Sequence, residues 1–413
     1  MTNASRRRLL ATLGAMGTVG TAGCSSMLDS DASESLSDSG SCSPYDPAVT
    51  TQGTWPTKHG GVDGTGAVAA EAVPDGPLTQ DWSVPIDTHV GHHTPIVGDD
   101  TVYVHDMDTT LFAFEVDTGN ERWRTRLEGP GPAPTLGGGR LVVATENGLE
   151  AYDAASGEHT WTIESPSVGI FNSAPIIADE TVYIYGGVSV SAFALTDGSL
   201  QWRVPIGLAS DSAPALDDDT LYVAGDDTYL RALSTADGSE RWRQKTAAHI
   251  TCNVAVVGET VYAGSDSGTV LACDRADGTT RWQYSLPNGD SQPQTIATDG
   301  ARVYVTAGDT LYALDAATGR LCWRIDTHQG SYSSGIAIGD GTLFVPTDAS
   351  DSTAETEAAG AVYDATNGNQ LSKFASDVRY GFDGGPSLAG GAVYTHGPAA
   401  LRRFSTEDTT TEE

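Results

Sequence analysis

Short runs of alternating apolar and polar positions fill the chain. Pro95-Ile96-Val97 leads to Thr101-Val102-Tyr103-Val104 and then to Leu111-Phe112-Ala113-Phe114. Clusters of Gly, Asp and Asn break such runs roughly every eight to twelve positions, the pattern of antiparallel strands joined by tight turns. The pattern predicts an all-β chain.

The runs belong to a repeat. An Ala, a Gly six residues on and a Trp four beyond that recur six times: Ala113–Gly119–Trp123, Ala151–Gly157–Trp161, Ala192–Gly198–Trp202, Ala232–Gly238–Trp242, Ala272–Gly278–Trp282 and Ala313–Gly319–Trp323. The internal spacing never changes, and successive Trp residues stand 38 to 41 apart. A seventh copy, Val362, Gly368 and Phe374, has its aromatic two residues late. Each Ala lies in an alternating run and the Asp/Gly segment after it makes a hairpin, with Gly supplying a positive φ at little steric cost. The Trp then opens an outer strand and can lie over the neighbouring unit, while the Ala leaves room for it. Units of about 40 residues with four strands each predict a β-propeller.

Units begin near Pro95, Pro134, Pro175, Pro214, Val254, Thr295, Gly335 and Pro386, which makes eight. The eighth has three strands, and Asp81-Trp82-Ser83-Val84 has the look of an outer strand with no unit before it. Joining the two completes an eight-bladed ring of four-stranded antiparallel blades with no open edge around it. The alternative is seven blades with the last segment as an appendage.

Charge and termini narrow the function. The chain has 413 residues, 22 Lys+Arg against 55 Asp+Glu, and a formal net charge of −33. Phosphate backbones would be repelled, so nucleic acid is excluded as a partner. Only Lys58, Lys245 and Lys373 are lysines, against 38 Asp. That balance resembles proteins of salt-in halophiles, in which carboxylates keep the surface hydrated in molar salt. Ser5-Arg6-Arg7-Arg8-Leu9-Leu10 resembles a twin-arginine export signal, and the uncharged stretch after it is too short and polar to span a membrane. Thr21-Ala22-Gly23-Cys24 resembles a lipobox, with Cys24 as the lipidated residue and Thr21 in place of the usual Leu. The chain thus reads as a signal over 1–23, a flexible acidic Ser-rich linker over 24–54, a propeller over 55–404 and a solvated tail over 405–413.

The form Ala313-Leu314-Asp315-Ala316-Ala317-Thr318-Gly319 to Trp323, with the lead-in Trp55-Pro56 to Thr65-Gly66, resembles the pyrroloquinoline-quinone-type propeller repeat. The resemblance covers Trp55 to Phe404 and implies two branches. Quinoprotein dehydrogenases hold the quinone and a calcium in the channel. Lipoprotein propellers similar to outer-membrane assembly factor B scaffold other proteins without catalysis. The first branch needs a calcium cradle, a catalytic Asp and commonly a vicinal Cys pair. The chain has no adjacent cysteines, and no cradle motif is legible. The expectation is a non-catalytic scaffold, monomeric and lipid-anchored at the outer face of the membrane. It would bind a protein partner without a cofactor. Quinone and calcium, or binding of polysaccharide or metal, stand as alternatives.

Residues entering the innermost strands should face the channel. They are His92, His93, Asn172, Ser173, Asp211, Ser212, Thr251, Gln292, Tyr332, Ser333 and Asp383. This polar funnel is the candidate ligand site. His89, His92, His93 and His105 form the one histidine cluster, at a spacing that matches no common metal site. Cys42 falls in the linker. Cys252 and Cys273 should lie two strands apart, about 9–10 Å, beyond disulfide reach. Those two and Cys322 are expected to be free thiols.

The acidic surface generates a test. The melting temperature should fall as KCl is lowered from molar to low concentration, because unscreened carboxylates repel one another. A melting temperature indifferent to KCl refutes the halophile reading.

Overall fold

The computed structural model describes residues 42–48, 54–74, 76–86, 93–106, 109–164, 173–207, 212–287, 292–327, 335–346, 357–376, 385–397 and 400–406. Their strands form eight sheets, and the 3-10 turn Ala70–Ala72 is the only helical element among them.

The ring has eight blades. Blade 1 runs from the channel outward as Ile96–Val97, Thr101–His105, Thr110–Glu115 and Glu121–Arg126. Blades 2 to 7 repeat this meander over 135–164, 176–205, 215–245, 255–285, 293–326 and 337–376. Blade 8 combines Ser387–Ala389, Ala392–Gly397 and Ala400–Thr406 with Leu78–Pro85, which pairs antiparallel to its third strand at Val84↔Leu401. The orphan strand therefore closes the ring, and the seven-bladed alternative is excluded. Between the last and first blades, the Ser387 hydroxyl donates to the Pro95 carbonyl.

One contact recurs between blades. In blades 1 to 6 the outer-strand Trp sits opposite the repeat Ala of its own blade, as in Ala272↔Trp282, and in blade 8 Trp82 sits opposite Arg403. The strand bulges beside it, leaving one residue unpaired, and such a bulge re-aims the neighbouring side chain. The indole N–H then donates to a turn carbonyl of the next blade. Trp82 reaches Val116 at 2.9 Å, Trp161 Leu195 at 2.9 Å, Trp202 Thr235 at 2.8 Å, Trp242 Arg275 at 2.8 Å and Trp282 Ala316 at 2.8 Å. Trp123 and Trp323 do the same at 3.1 and 3.2 Å. The turn glycine of that next blade lies against the indole face. At Gly278, with φ +75°, an added Cβ would stand 2.5 Å from Cε3 of Trp242. From blade 7 to blade 8 the aromatic is Phe374, which has no N–H to donate and packs on Phe404 at 5.2 Å.

The N-terminal approach is ordered before the ring begins. Cys42 forms a disulfide with Cys322 on the outer strand of blade 6. Ser43 N donates to Asp315 at 2.6 Å, Arg302 Nη2 to Ser43 O at 2.7 Å and Tyr45 OH to Asp299 at 2.8 Å. This corrects two expectations: Cys322 is not a free thiol, and Cys42 is held against the propeller rather than in a solvated stretch. Cys322 is the bulge residue of its strand. Blades 1 and 4 carry Arg122 and Arg241 there, paired with Asp100 and Asp219. The same rim position thus carries a disulfide sulfur in blade 6. Cys252 and Cys273 are free and buried, as expected.

Gly278→Ala tests the inter-blade contact. It should destabilise by about 2–4 kcal/mol, combining left-handed strain with overpacking against Trp242. Urea unfolding in molar KCl measures it, and an unchanged midpoint would show that the glycine is not required there.

Candidate functional site: a channel closed at one end

Inner strands leave one edge of backbone N–H and C=O groups facing the channel, and such groups need partners. Here the lead-in supplies them. Trp55 exchanges two bonds with Val97 of blade 1, at 2.8 and 2.9 Å. Leu136 N of blade 2 donates to Pro56 O at 2.9 Å, and Leu216 N of blade 4 to Val62 O at 2.8 Å. Val256 N, Thr298 N and Ile338 N of blades 5, 6 and 7 donate to Asp63 O, Thr65 O and Gly66 O, at 2.9, 2.8 and 2.8 Å. Gly391 N of blade 8 reaches Ala72 O at 3.2 Å. Blade 3 is met by apolar contact, with Val62 packed on the cluster that holds Ile176. Ala67–Val68 even joins blade 7 as a parallel fifth strand. The segment therefore crosses the channel at the end where the first and second strands of each blade turn. Its close fit needs glycine: a Cβ on Gly64 would stand 2.3 Å from Val254 O.

Asn253 locks this plug. Its Nδ2 donates to Gly64 O at 3.1 Å and Ile296 O at 2.8 Å, and its Oδ1 accepts from Ile296 N at 3.0 Å. Beside the plug a cleft of about 360 Å³ is lined by Thr54, Pro56, Gly61, Val62, Asp63, Leu216, Asp217 and Asp218. Burial raises the Asp63 carboxyl above its usual range, although Thr65 N and Oγ1 donate to it at 3.2 and 3.0 Å. Asp217 is paired with Arg275.

Five of the eleven candidate funnel residues lie among the described ones. His93 is half-buried and stacks on His105, with ring centroids 3.9 Å apart. Ser173 is buried, and its Oγ has no hydrogen-bond partner. Ser212 is buried and donates to Cys252 O of the next blade at 2.7 Å, so its hydroxyl joins two blades. Thr251 and Gln292 are exposed. His92, Asn172, Asp211, Tyr332, Ser333 and Asp383 lie outside the described residues, as do His89 and Cys24.

The structure adds a residue that the sequence reading missed. His396 is the penultimate residue of the second strand of blade 8, at the position His105 holds in blade 1. It is fully buried, and neither ring nitrogen has a hydrogen-bond partner. Burial, with His105 nearby, pushes its pKa down to about 4. His105 lies beside it with Nε2 facing Pro132 O at 3.0 Å and Nδ1 facing Asp106 O at 3.2 Å, and burial lowers its pKa as well.

A quinone with calcium needs a cradle of carboxylate and amide oxygens. Among the described residues, both amide atoms of Asn253 are taken by backbone, and no three His, Cys, Asp or Glu donors converge at the channel wall. The described residues do not fit that group.

These features define an eight-bladed propeller whose channel is closed at one end by its own N-terminal approach. The family model described as outer membrane protein assembly factor BamB matches residues 65–211 and 186–396. That is most of the chain, and the protein belongs to this family. Among solved structures, BamB from Moraxella catarrhalis is similar at 17% identity and TM-score 0.65, over 80% of this chain and 100% of that one. Quinohemoprotein alcohol dehydrogenase ADHIIG from Pseudomonas putida HK5 is similar at 15% identity and TM-score 0.72, over 88% and 81%. Identities this low carry the fold alone. The serine/threonine-protein kinase AfsK of Streptomyces griseus is 29% identical over 180 residues, which are 39% of this chain and 21% of the kinase. The chain therefore spans about a fifth of that relative's length.

His396 makes stability depend on pH. Its folded pKa lies below the unfolded value of 6.5, so the unfolded chain takes up a proton first as pH falls. Stability present above pH 6.5 should therefore be lost progressively towards pH 4. From the size of the shift the loss is about 3 kcal/mol at most. Urea unfolding of the protein and of His396→Leu at both pH values measures it. The gap between the two should change with pH, and a constant gap would refute a neutral buried ring.

Proposed function

We propose that the protein is an exported, non-catalytic binding scaffold, lipid-anchored through Cys24 at the outer face of the membrane. The observation that carries this reading is the plug. The lead-in spends the channel-facing backbone of seven blades on closing one end, where its bonds leave no cradle among the described residues. Membership of the BamB family supports partner binding as the role. The twin-arginine-like start and the Thr21-Ala22-Gly23-Cys24 sequence support export and anchoring. The acidic, lysine-poor surface supports work in high salt.

The partner is a protein, and the propeller acts as a monomer. With the turn-side end occupied by the lead-in, the opposite face is left for the partner. The funnel residues expected from the sequence, Asp211 and Asp383 among them, are its candidate contacts.

A titration separates this reading from a quinone-dependent dehydrogenase. The full chain, in molar KCl, is mixed with pyrroloquinoline quinone and calcium and followed by absorbance and tryptophan fluorescence, with dye reduction assayed over alcohols and sugars. No binding and no dye reduction by folded protein is the expected result, with surface crosslinking recovering a protein partner. Tight quinone binding with dye reduction would make the protein an enzyme and overturn the scaffold reading.

A further inference from the structure

The N-terminal strap meets the propeller at a set of metal-ligating atoms. Sγ of Cys42, Sγ of Cys322 and a carboxylate oxygen of Asp315 all lie within 4.8 Å of one another. The two cysteines are half-buried and Asp315 is buried, so the site opens to solvent on its sulfur side. In the oxidised protein the sulfurs are bonded to each other.

The strap does not depend on that bond alone. Ser43 N donates to Asp315 Oδ2 at 2.6 Å, and Arg302 Nη2 donates to Ser43 O at 2.7 Å. Tyr45 OH donates to Asp299, its ring lies over the Arg302 guanidinium at 5.9 Å, and Ala48 N donates to Asp299 O at 2.8 Å. These contacts would hold Cys42 beside Cys322 after the disulfide opens. Two cysteines kept together next to a fixed carboxylate are a preorganised chelate. Zinc takes thiolate and carboxylate ligands in a tetrahedron with water as a fourth. Two sulfurs on one zinc stand roughly 3.8 Å apart, from the 2.3 Å bond and the tetrahedral angle, so the two side chains part once the disulfide opens, with the Asp315 carboxylate oxygen already within 4.8 Å of both sulfurs. Arg302, with Nη1 3.6 Å from Asp315 Oδ2, offsets part of the negative charge.

We propose that reduction of Cys42–Cys322 turns the strap anchor into a Cys₂Asp site for a divalent cation of the zinc class. A dithiol reductant gives two electrons and two protons to the two sulfurs. Their bond breaks, and the reductant leaves as its own disulfide. The cation then displaces the two thiol protons and binds both thiolates and Asp315. The strap is thus pinned by a disulfide when oxidised and by a metal when reduced.

Cobalt(II) reports on such a site through its thiolate charge-transfer absorption. The full chain is reduced with dithiothreitol, desalted without oxygen and titrated with cobalt(II), and then with zinc. One equivalent of cobalt should bind with a thiolate band that zinc removes. The oxidised protein and Cys42→Ser should show no band. Asp315→Asn should weaken cobalt binding tenfold or more, with unchanged tryptophan fluorescence reporting an intact ring. Cys42 lies on the strap outside the ring, so its substitution leaves the blades unaltered. Reduced protein with native fluorescence and no band would overturn the proposal. So would a band that survives in Cys42→Ser, which would show that the metal does not need the strap cysteine. Unaltered affinity in Asp315→Asn would remove the carboxylate and refute the Cys₂Asp site.

Discussion

The structure depends on one contact, the indole of one blade set against the turn of the next. It combines three demands. The Trp must leave its own sheet, which the bulge beside it allows. It must find an acceptor for its N–H, which the next blade supplies as a turn carbonyl. It must have a flat surface to cover, which only a turn residue without Cβ provides. Each demand fixes a residue type at one place, so the Ala–Gly–Trp spacing cannot drift. The contact also carries the packing from blade to blade, because each indole lies in a cluster shared by neighbouring sheets. Blade 8 is the exception that fits the account. Phe374 replaces Trp at its border, and a ring contact with Phe404 takes over from the hydrogen bond.

A ring of sheets leaves a second problem at its centre. The inner strands present backbone edges to the channel, and water or protein must satisfy them. The lead-in does so at one end by presenting carbonyls in turn to successive blades. It repeats no side-chain pattern because its bonds are made by backbone, and it needs glycine where it passes closest to the wall. This choice has a structural consequence. The end that the lead-in fills has its inner-strand backbone already bonded, so that end offers no free backbone edge where those bonds are made.

How much was legible follows from where the information resides. The blades were legible because side chains at fixed spacing make them. The joining of the Asp81-to-Val84 strand to blade 8 was legible from counting strands. The disulfide was not. Cys42 sits among Ser and Asp, a composition that reads as solvated, and Cys322 occupies a bulge position that other blades give to Arg122 or Arg241. The plug was recognisable as a lead-in, but its bonds follow no residue code. In the candidate site, His93 and His105 stand close in sequence as members of one histidine cluster, and their rings meet. His396 is not legible as part of that cluster because it is far away in sequence. Its place in blade 8 matches that of His105 in blade 1, a correspondence that appears only when the second strands are aligned.

The N-terminal approach ties these features together. Residues 42–48 pin to the rim of blade 6, 54–74 cross the channel, and Leu78–Pro85 completes blade 8. Three consecutive stretches thus bind three distant parts of a chain whose repeats otherwise touch only their neighbours. A linear stack of repeats can open at any junction, since each contributes only nearest-neighbour energy. Here one segment spans the ring, so parting any two blades also strains bonds made to the others. The ring therefore behaves as one cooperative body, and the segment that confers this is the one through which the propeller joins whatever precedes it.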